Sequence, residues 1–236
     1  MKIFSDFDGT LTTNGELGTV FFDILNETKR LNSELIIVSG RSLSWGHFFL
    51  THFPIQYCLM EGGGVLTYKN DKGEICEENL VDLDTIARLD KITKILNEEI
   101  PGVVMSADSF GRRTDRAIEY FSLDKKLQHK ITDFLDEHKV NYSLSNVHLN
   151  FWLGEISKAK GVSYLLKNYF PDVNMDDCLF FGDALNDESM FKLFKTSIGV
   201  SNIKEVLAKM IHKPSIVLEG KENAEAAGVY NYLKHL

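Results

Sequence analysis

Residues 4–10 of this 236-residue chain read Phe-Ser-Asp-Phe-Asp-Gly-Thr, so Asp6 and Asp8 close a short apolar strand that opens at Met1-Lys2-Ile3. Alternate residues of a strand share a face, which aims both carboxylates at one spot and turns Phe7 away. Two carboxylates held that close repel, and a cation between them or a proton on one relieves the repulsion. Gly9 and Thr10 then permit a tight turn whose N–H groups suit an anion. Paired carboxylates beside an anion-binding turn suit metal-assisted phosphoryl transfer. Taken alone the pair has a plainer explanation, because acidic residues commonly close the strands of parallel sheets.

The other groups such chemistry needs follow in chain order. Leu35-Ile-Ile-Val-Ser39-Gly40-Arg41 is an apolar strand ending in a hydroxyl and a glycine, and the Ser39 hydroxyl with the next N–H can donate to a phosphate oxygen. In isolation Ser39 reads better as a helix N-cap. Ser157-Lys158-Ala-Lys160-Gly161 puts two lysines at the start of a helix, by itself an ordinary solvated face. Cys178-Leu-Phe-Phe-Gly182-Asp183 is a further apolar strand, and it breaks into Ala-Leu-Asn186-Asp187. Asn186 is expected to cap the next helix with Asp187 and Glu188 in its first turn. Capping leaves Asp183 unexplained.

Taken together, the DFDGT string, Ser39, Ser157-Lys158 and Gly182-Asp183 with Asn186-Asp187 resemble the four motifs of the haloacid dehalogenase (HAD) superfamily, over essentially the whole chain. The last motif has the form typical of type IIB members, among them Cof-type, sucrose-phosphate and mannosyl-phosphoglycerate phosphatases. The resemblance implies Asp6 as a nucleophile that forms an aspartyl phosphate and Asp8 as general acid and base. It implies Mg²⁺ held by Asp6, Asp183, Asp187 and the backbone carbonyl of Asp8, an oxygen-only set suited to that ion. Ser39, Gly40 and Lys158 would hold the phosphoryl oxygens, with Thr10, Arg41 and Asn186 in support. Lys160 is the alternative lysine if the register shifts. An aspartate at position 8 separates phosphatases and mutases from the family's ATPases and dehalogenases. The expected activity is Mg²⁺-dependent hydrolysis of a small phosphomonoester, such as a sugar phosphate. A phosphomannomutase-like isomerase on the same core is the alternative.

These groups need elements to position them, and strand–helix alternation with apolar strands points to an α/β fold. The expected architecture is a Rossmann-like parallel-sheet core, residues 1–81 and 155–236, with a smaller α+β cap inserted at 82–154. In the cap, helices at 84–98 and 125–139 and strands at 103–106, 116–121, 141–145 and 147–153 give an αββαββ order. After Lys158 the core should continue as a helix to 170, a strand to 183, a helix, a strand at 196–200, a helix and a strand at 215–218. Substrate choice should lie in the cap, where Arg112 and Arg113 in the polar stretch 108–116 are the first candidates. His148, Asn150 and the glycine-rich loop 61–64 come second.

Composition narrows the partners. A formal charge of −8 disfavours nucleic acid and anionic membrane surfaces. No run approaches the ~20 apolar residues of a membrane helix and the N-terminus lacks a signal-peptide pattern, so a cytoplasmic enzyme is expected. Cys58, Cys76 and Cys178 are odd in number and widely spaced, which points to free thiols and no zinc site.

Overall fold

The computed structural model describes residues 1–144 and 148–236. The first segment runs β1 (Lys2–Ser5), α1 (Thr19–Arg30), β2 (Glu34–Val38), α2 (Leu43–His52), β3 (Tyr57–Met60) and a hairpin of β4 (Val65–Lys69) with β5 (Ile75–Asn79). Then come α3 (Leu83–Glu99), β6 (Asp115–Ile118), α4 (Lys125–Glu137), β7 (Asn141–Leu144) and β8 (Leu149–Trp152). The last segment is α5 (Lys158–Tyr169), β9 (Leu179–Gly182), α6 (Glu188–Leu193), β10 (Thr196–Gly199), β11 (Ile216–Val217) and α7 (Glu225–Lys234).

The larger sheet has the order β11-β10-β9-β1-β2-β3-β4-β5. Pairing is parallel from β11 to β3 and antiparallel through β4 and β5. Its central strands β1, β2, β3 and β9 are largely apolar because both faces are covered, whereas the edge strand β5 reads Ile-Cys-Glu-Glu-Asn and is half-buried. Ile3, Leu35, Ile37, Met60 and Phe181 pack on one side with residues of α1, α2 and α7. Phe4, Ile36, Val38, Leu59 and Phe180 pack on the other with residues of α5 and α6. The two sets alternate along each strand, as the period of two requires. The central position of β1, between β9 and β2, brings the carboxyl ends of all three strands to one edge.

The second sheet is β6-β8-β7, and Ile118, Leu149 and Phe151 pack there with Leu89, Leu96, Ile131 and Leu135 of α3 and α4. It has three strands where the sequence suggested four. Segment 103–106 contributes one bridge, Met105 with Ile118, flanked by Ser106 N–H donating to the Ala117 carbonyl and Glu119 N–H to the Val104 carbonyl. The chain enters through Gly102 at φ 101°. It leaves at once into a 3₁₀ turn, Ala107–Gly111, with Ser106 Oγ bonded to Asp108, so too few residues remain extended to form a strand. The expected strand 116–121 likewise stops at Ile118 because a 3₁₀ turn begins at Tyr120. Ser145 and Val147, which the expected hairpin included, lie outside the described residues.

Beyond β10 the expected helix is replaced by two short 3₁₀ segments, Ser201–Glu205 and Leu207–Lys209. These tight turns bury Ile203 while Asn202 reaches back to the carboxyl edge of the sheet, donating to the Gly9 carbonyl at 3.0 Å.

The loop after β3 sets the start of α5. Gly63 sits at φ 96°, where a Cβ would lie 2.4 Å from the Ser157 carbonyl oxygen and 3.1 Å from Lys158 Cα. Only glycine allows that approach. Replacing Gly63 with alanine should cost about 2 kcal/mol or more, through backbone strain and displacement of α5. In urea unfolding the midpoint should fall at an unchanged slope; an unchanged midpoint would show that the contact does not set the start of α5.

Candidate active site

Asp6 follows β1 directly, and its N–H donates to the Phe181 carbonyl at 2.9 Å, which continues the pairing with β9. The chain then turns through Gly9 at φ 78°, closed by Leu11 N–H on the Phe7 carbonyl and Gly9 N–H on Thr12 Oγ1. A side chain at Gly9 would collide with Asp183, whose Oδ2 lies 2.4 Å from the Cβ position. That close approach lets the β1 and β9 loops share one small space. Thr10 Oγ1 donates to Asp183 Oδ1 at 3.0 Å, and Asn202 Nδ2 donates to Asp183 Oδ2 at 2.9 Å.

Asp183, Asp187 and Asp6 each offer an oxygen to one cluster whose atoms lie within 4.8 Å of one another, and all three residues are buried. Lys158, the first residue of α5, donates to Asp6 Oδ1 and Asp187 Oδ1, both at 2.6 Å. Burial works against the charge of Lys158, but Asp187 and Asp6 outweigh it and push its pKa up. Burial also pushes Asp6 up, with Asp187 adding to the rise and Lys158 opposing it. Asp183 is pushed up by burial and by the negative charges of Asp6 and Asp187. Three carboxylates facing one ammonium leave charge to be compensated. A hard divalent cation would do so, and an all-oxygen donor set of this size fits one.

Asp8 lies apart from that cluster. Arg41 grips its carboxylate through Nε at 2.8 Å and Nη2 at 2.6 Å, while the guanidinium lies over the Trp45 ring. Ser39 is buried, and its Oγ accepts from Arg41 N–H at 3.1 Å, shaping the turn that presents Gly40. Loop 61–63 braces this turn: Gly62 N–H donates to the Ser39 carbonyl and Glu61 N–H to the Arg41 carbonyl. The buried Glu61 carboxylate accepts from Leu43 N–H on the core side and from Arg113 N–H, Thr114 N–H and Thr114 Oγ1 on the cap side. Burial and the nearby Asp115 raise its pKa.

A cavity of about 290 Å³ lies between the two sheets. Asp6, Asp8, Gly40, Arg41 and Lys158 line its floor. Arg112, Asp115, Ser143, His148, Asn150 and Trp152 line the cap side.

Most of the expected residues therefore meet, with informative exceptions. Lys160 forms an exposed ion pair with Glu155 and is not among the cavity's lining residues, whereas Lys158 lines the cavity and contacts Asp6 and Asp187. Asn186 lines the cavity and does not cap α6. Asp187 stands at the N-cap position without a side-chain bond to α6; its Oδ2 accepts from Asp183 N–H and Ala184 N–H, which precede the helix. The Arg113 side chain turns away to Glu77 and does not line the cavity. Arg112 does line it, but is already engaged: it bonds Asp108 through Nε and Nη2, and Asp115 and the Gly40 carbonyl through Nη1. Asn202 escaped the sequence reading. The available signal was an amide three residues past the end of β10, at the same sheet edge as the other groups.

This fold and constellation are those of a known class. A family model described as haloacid dehalogenase-like hydrolase matches residues 3–111 and 111–233, and the chain belongs to that family. A phosphoglycolate phosphatase from Nitrosopumilus maritimus is 26% identical over 208 residues, covering 85% of this chain and 83% of its own. One from Picrophilus torridus is 24% identical over 208 residues, covering 87% and 80%. A solved structure from Thermoplasma acidophilum aligns with a TM-score of 0.79 at 16% identity over 99% of this chain and 96% of its own. The sucrose-phosphatase of Synechocystis sp. PCC6803, solved with sucrose and phosphate, aligns at 0.71 and 14% identity over 100% and 97%. At such identities the solved structures establish the fold, while the family match and the named relatives place the chain among the phosphatases.

The two lysines separate by stability alone. Lys158→Ala leaves Asp6 and Asp187 buried without their partner and should cost about 3–5 kcal/mol in urea unfolding, with no metal added. Lys160→Ala should behave as an ordinary surface substitution. Equal costs would remove Lys158 from the centre of the charge network.

Proposed function

We propose that the protein is a Mg²⁺-dependent phosphomonoester hydrolase acting on a small cytoplasmic sugar phosphate through an aspartyl-phosphate intermediate, with residues 82–154 as its cap. The observation that carries this reading is Lys158 held between Asp6 and Asp187, with Asp183 beside them, where Lys158 and Asp6 line the floor of the cavity. In this reading Asp6 is the nucleophile on the phosphorus. Lys158, Ser39 and the Gly40 N–H serve the non-bridging oxygens, where charge builds in the transition state. Asp8, oriented by Arg41, gives a proton to the leaving oxygen and later takes one from the water that hydrolyses the intermediate. Mg²⁺ held by Asp6, Asp183 and Asp187 would neutralise phosphate charge when bound.

The names of the Nitrosopumilus and Picrophilus relatives support a second substrate reading, phosphoglycolate. A mutase is less well supported, because it must hold a second phosphate and the cap arginine on the cavity wall already faces two carboxylates.

Asp6→Asn is nearly isosteric and removes one of the clustered charges. Turnover of p-nitrophenyl phosphate should disappear while the melting temperature holds or rises. Undiminished turnover in the purified variant would sink the nucleophile assignment. Chelation should silence the wild-type protein, and Mg²⁺ should restore it. Ca²⁺ should restore it poorly, because it favours looser and higher coordination. Full activity in excess chelator is the outcome that excludes a metal role for the carboxylate cluster.

A further inference from the structure

The cap side of the cavity carries information about the leaving group that the phosphate chemistry does not use. Ile118, Leu149 and Phe151 pack into the cap core, so the alternate residues of β6 and β8 present the opposite face. On that face Asp115 lies directly across from Trp152, and Asn150 stands two residues before Trp152 on the same strand. All three line the cavity. Asn150 Nδ2 donates to Asp115 Oδ2 at 3.0 Å, which fixes the amide and the carboxylate as one rigid acceptor-rich unit. Arg112 Nη1 holds both oxygens of Asp115, at 2.8 and 2.9 Å, and sets its plane.

Charge decides what such a wall can take. Arg112 is flanked by Asp108 and Asp115, so this trio is negative overall. Arg41 is committed to Asp8, and Lys158 to Asp6 and Asp187. Glu61 supplies no cation to the wall, and its carboxylate is taken up by Leu43, Arg113 and Thr114. A carboxylate or second phosphate on the leaving group would therefore meet like charge in a confined space, which disfavours binding by several kcal/mol. A neutral polyol meets the reverse situation. Its hydroxyls donate to Asp115 and to the Asn150 carbonyl oxygen, and accept from the amide. Its C–H face can lie against the half-buried indole of Trp152, an amphipathic ring suited to contacts that are apolar on one side and polar on the other.

We infer that Asp115, Asn150 and Trp152 form a subsite for adjacent hydroxyls of an uncharged sugar or polyol, and that the site selects against leaving groups carrying a second anion. The inference rests on the phosphatase reading above and sets the sugar ester over phosphoglycolate. Asn150 and Trp152 are specificity residues, and Arg112 is a positioning residue that acts through Asp115.

The test compares kcat/KM for a hexose 6-phosphate, a pentose 5-phosphate, phosphoglycolate, a hexose bisphosphate and p-nitrophenyl phosphate. Wild type, Asn150→Ala and Trp152→Leu are each assayed with Mg²⁺. Wild type should favour at least one neutral sugar monophosphate over phosphoglycolate by about tenfold or more. In both variants the ratio of that sugar ester to p-nitrophenyl phosphate should fall by about tenfold. Because the ratio is taken within one preparation, partial unfolding cancels. A wild-type preference for phosphoglycolate or the bisphosphate overturns the subsite and leaves the phosphatase reading standing. Ratios unchanged in both variants overturn it as well. Absence of turnover on every ester, p-nitrophenyl phosphate included, overturns the phosphatase reading and the subsite with it.

Discussion

The structure depends on a charge imbalance at the carboxyl edge of its main sheet: Asp6, Asp183 and Asp187 share one lysine in a buried space. Left in water these groups would cost nothing to separate. Here the fold holds them together and meets the cost with the exchange of N–H and O–H donors around them. Asp187 takes two backbone N–H groups, Asp183 takes Thr10 and Asn202, and Lys158 bridges Asp6 and Asp187. Hydrogen bonds offset part of the desolvation. The rest is stored as affinity for whatever positive charge enters.

Much of the fold serves to keep that imbalance in place. The interleaved apolar sets above and below β1 fix its register against β2 and β9, and with it the relative heights of the loops they feed. Gly9 and Gly182 remove side chains where Asp183 and Asp187 press against the backbone, the latter with an oxygen 2.6 Å from the Cβ position. Gly63 lets α5 begin against loop 61–63, which sets where the lysine emerges. A buried β-strand is a poor place for polar atoms, so the chemistry sits one residue past each strand end, where the backbone is released to turn.

The strongly patterned parts of this arrangement were legible in the residues. Strands that alternate between two apolar clusters read as continuous hydrophobic runs, and the acidic residues that end them stand out against that background. Asp6 and Asp183 stand out in this way, whereas Lys158 came from the resemblance alone, since two lysines at a helix start read by themselves as a solvated face. Asn186 was expected at the cap of α6 and Asp187 stands there instead, because an adjacent amide and carboxylate have nearly equal capping propensity and only the turn's geometry chooses between them. Arg112 drew attention as a cation in an acidic chain, yet its pairing with Asp108 and Asp115 depends on the short 3₁₀ turn Ala107–Gly111 that precedes it, inside a stretch read only as a connection. Asn202 was invisible for a related reason: its role is set by a fold-back of 3₁₀ turns where a helix was expected, and such turns have no strong periodicity to announce them.

Glu61 gives the boundary between the two sheets an unusual character. Its carboxylate takes donors from α2 on one side and from residues 113 and 114 on the other, with Arg112 adding a bond to the Gly40 carbonyl. Separating the sheets would trade those protein donors for water donors of similar strength, since the parted surfaces are wetted as they open. The seam is therefore held by hydrogen bonds, and Glu61 gathers donors from both sides of it at one carboxylate.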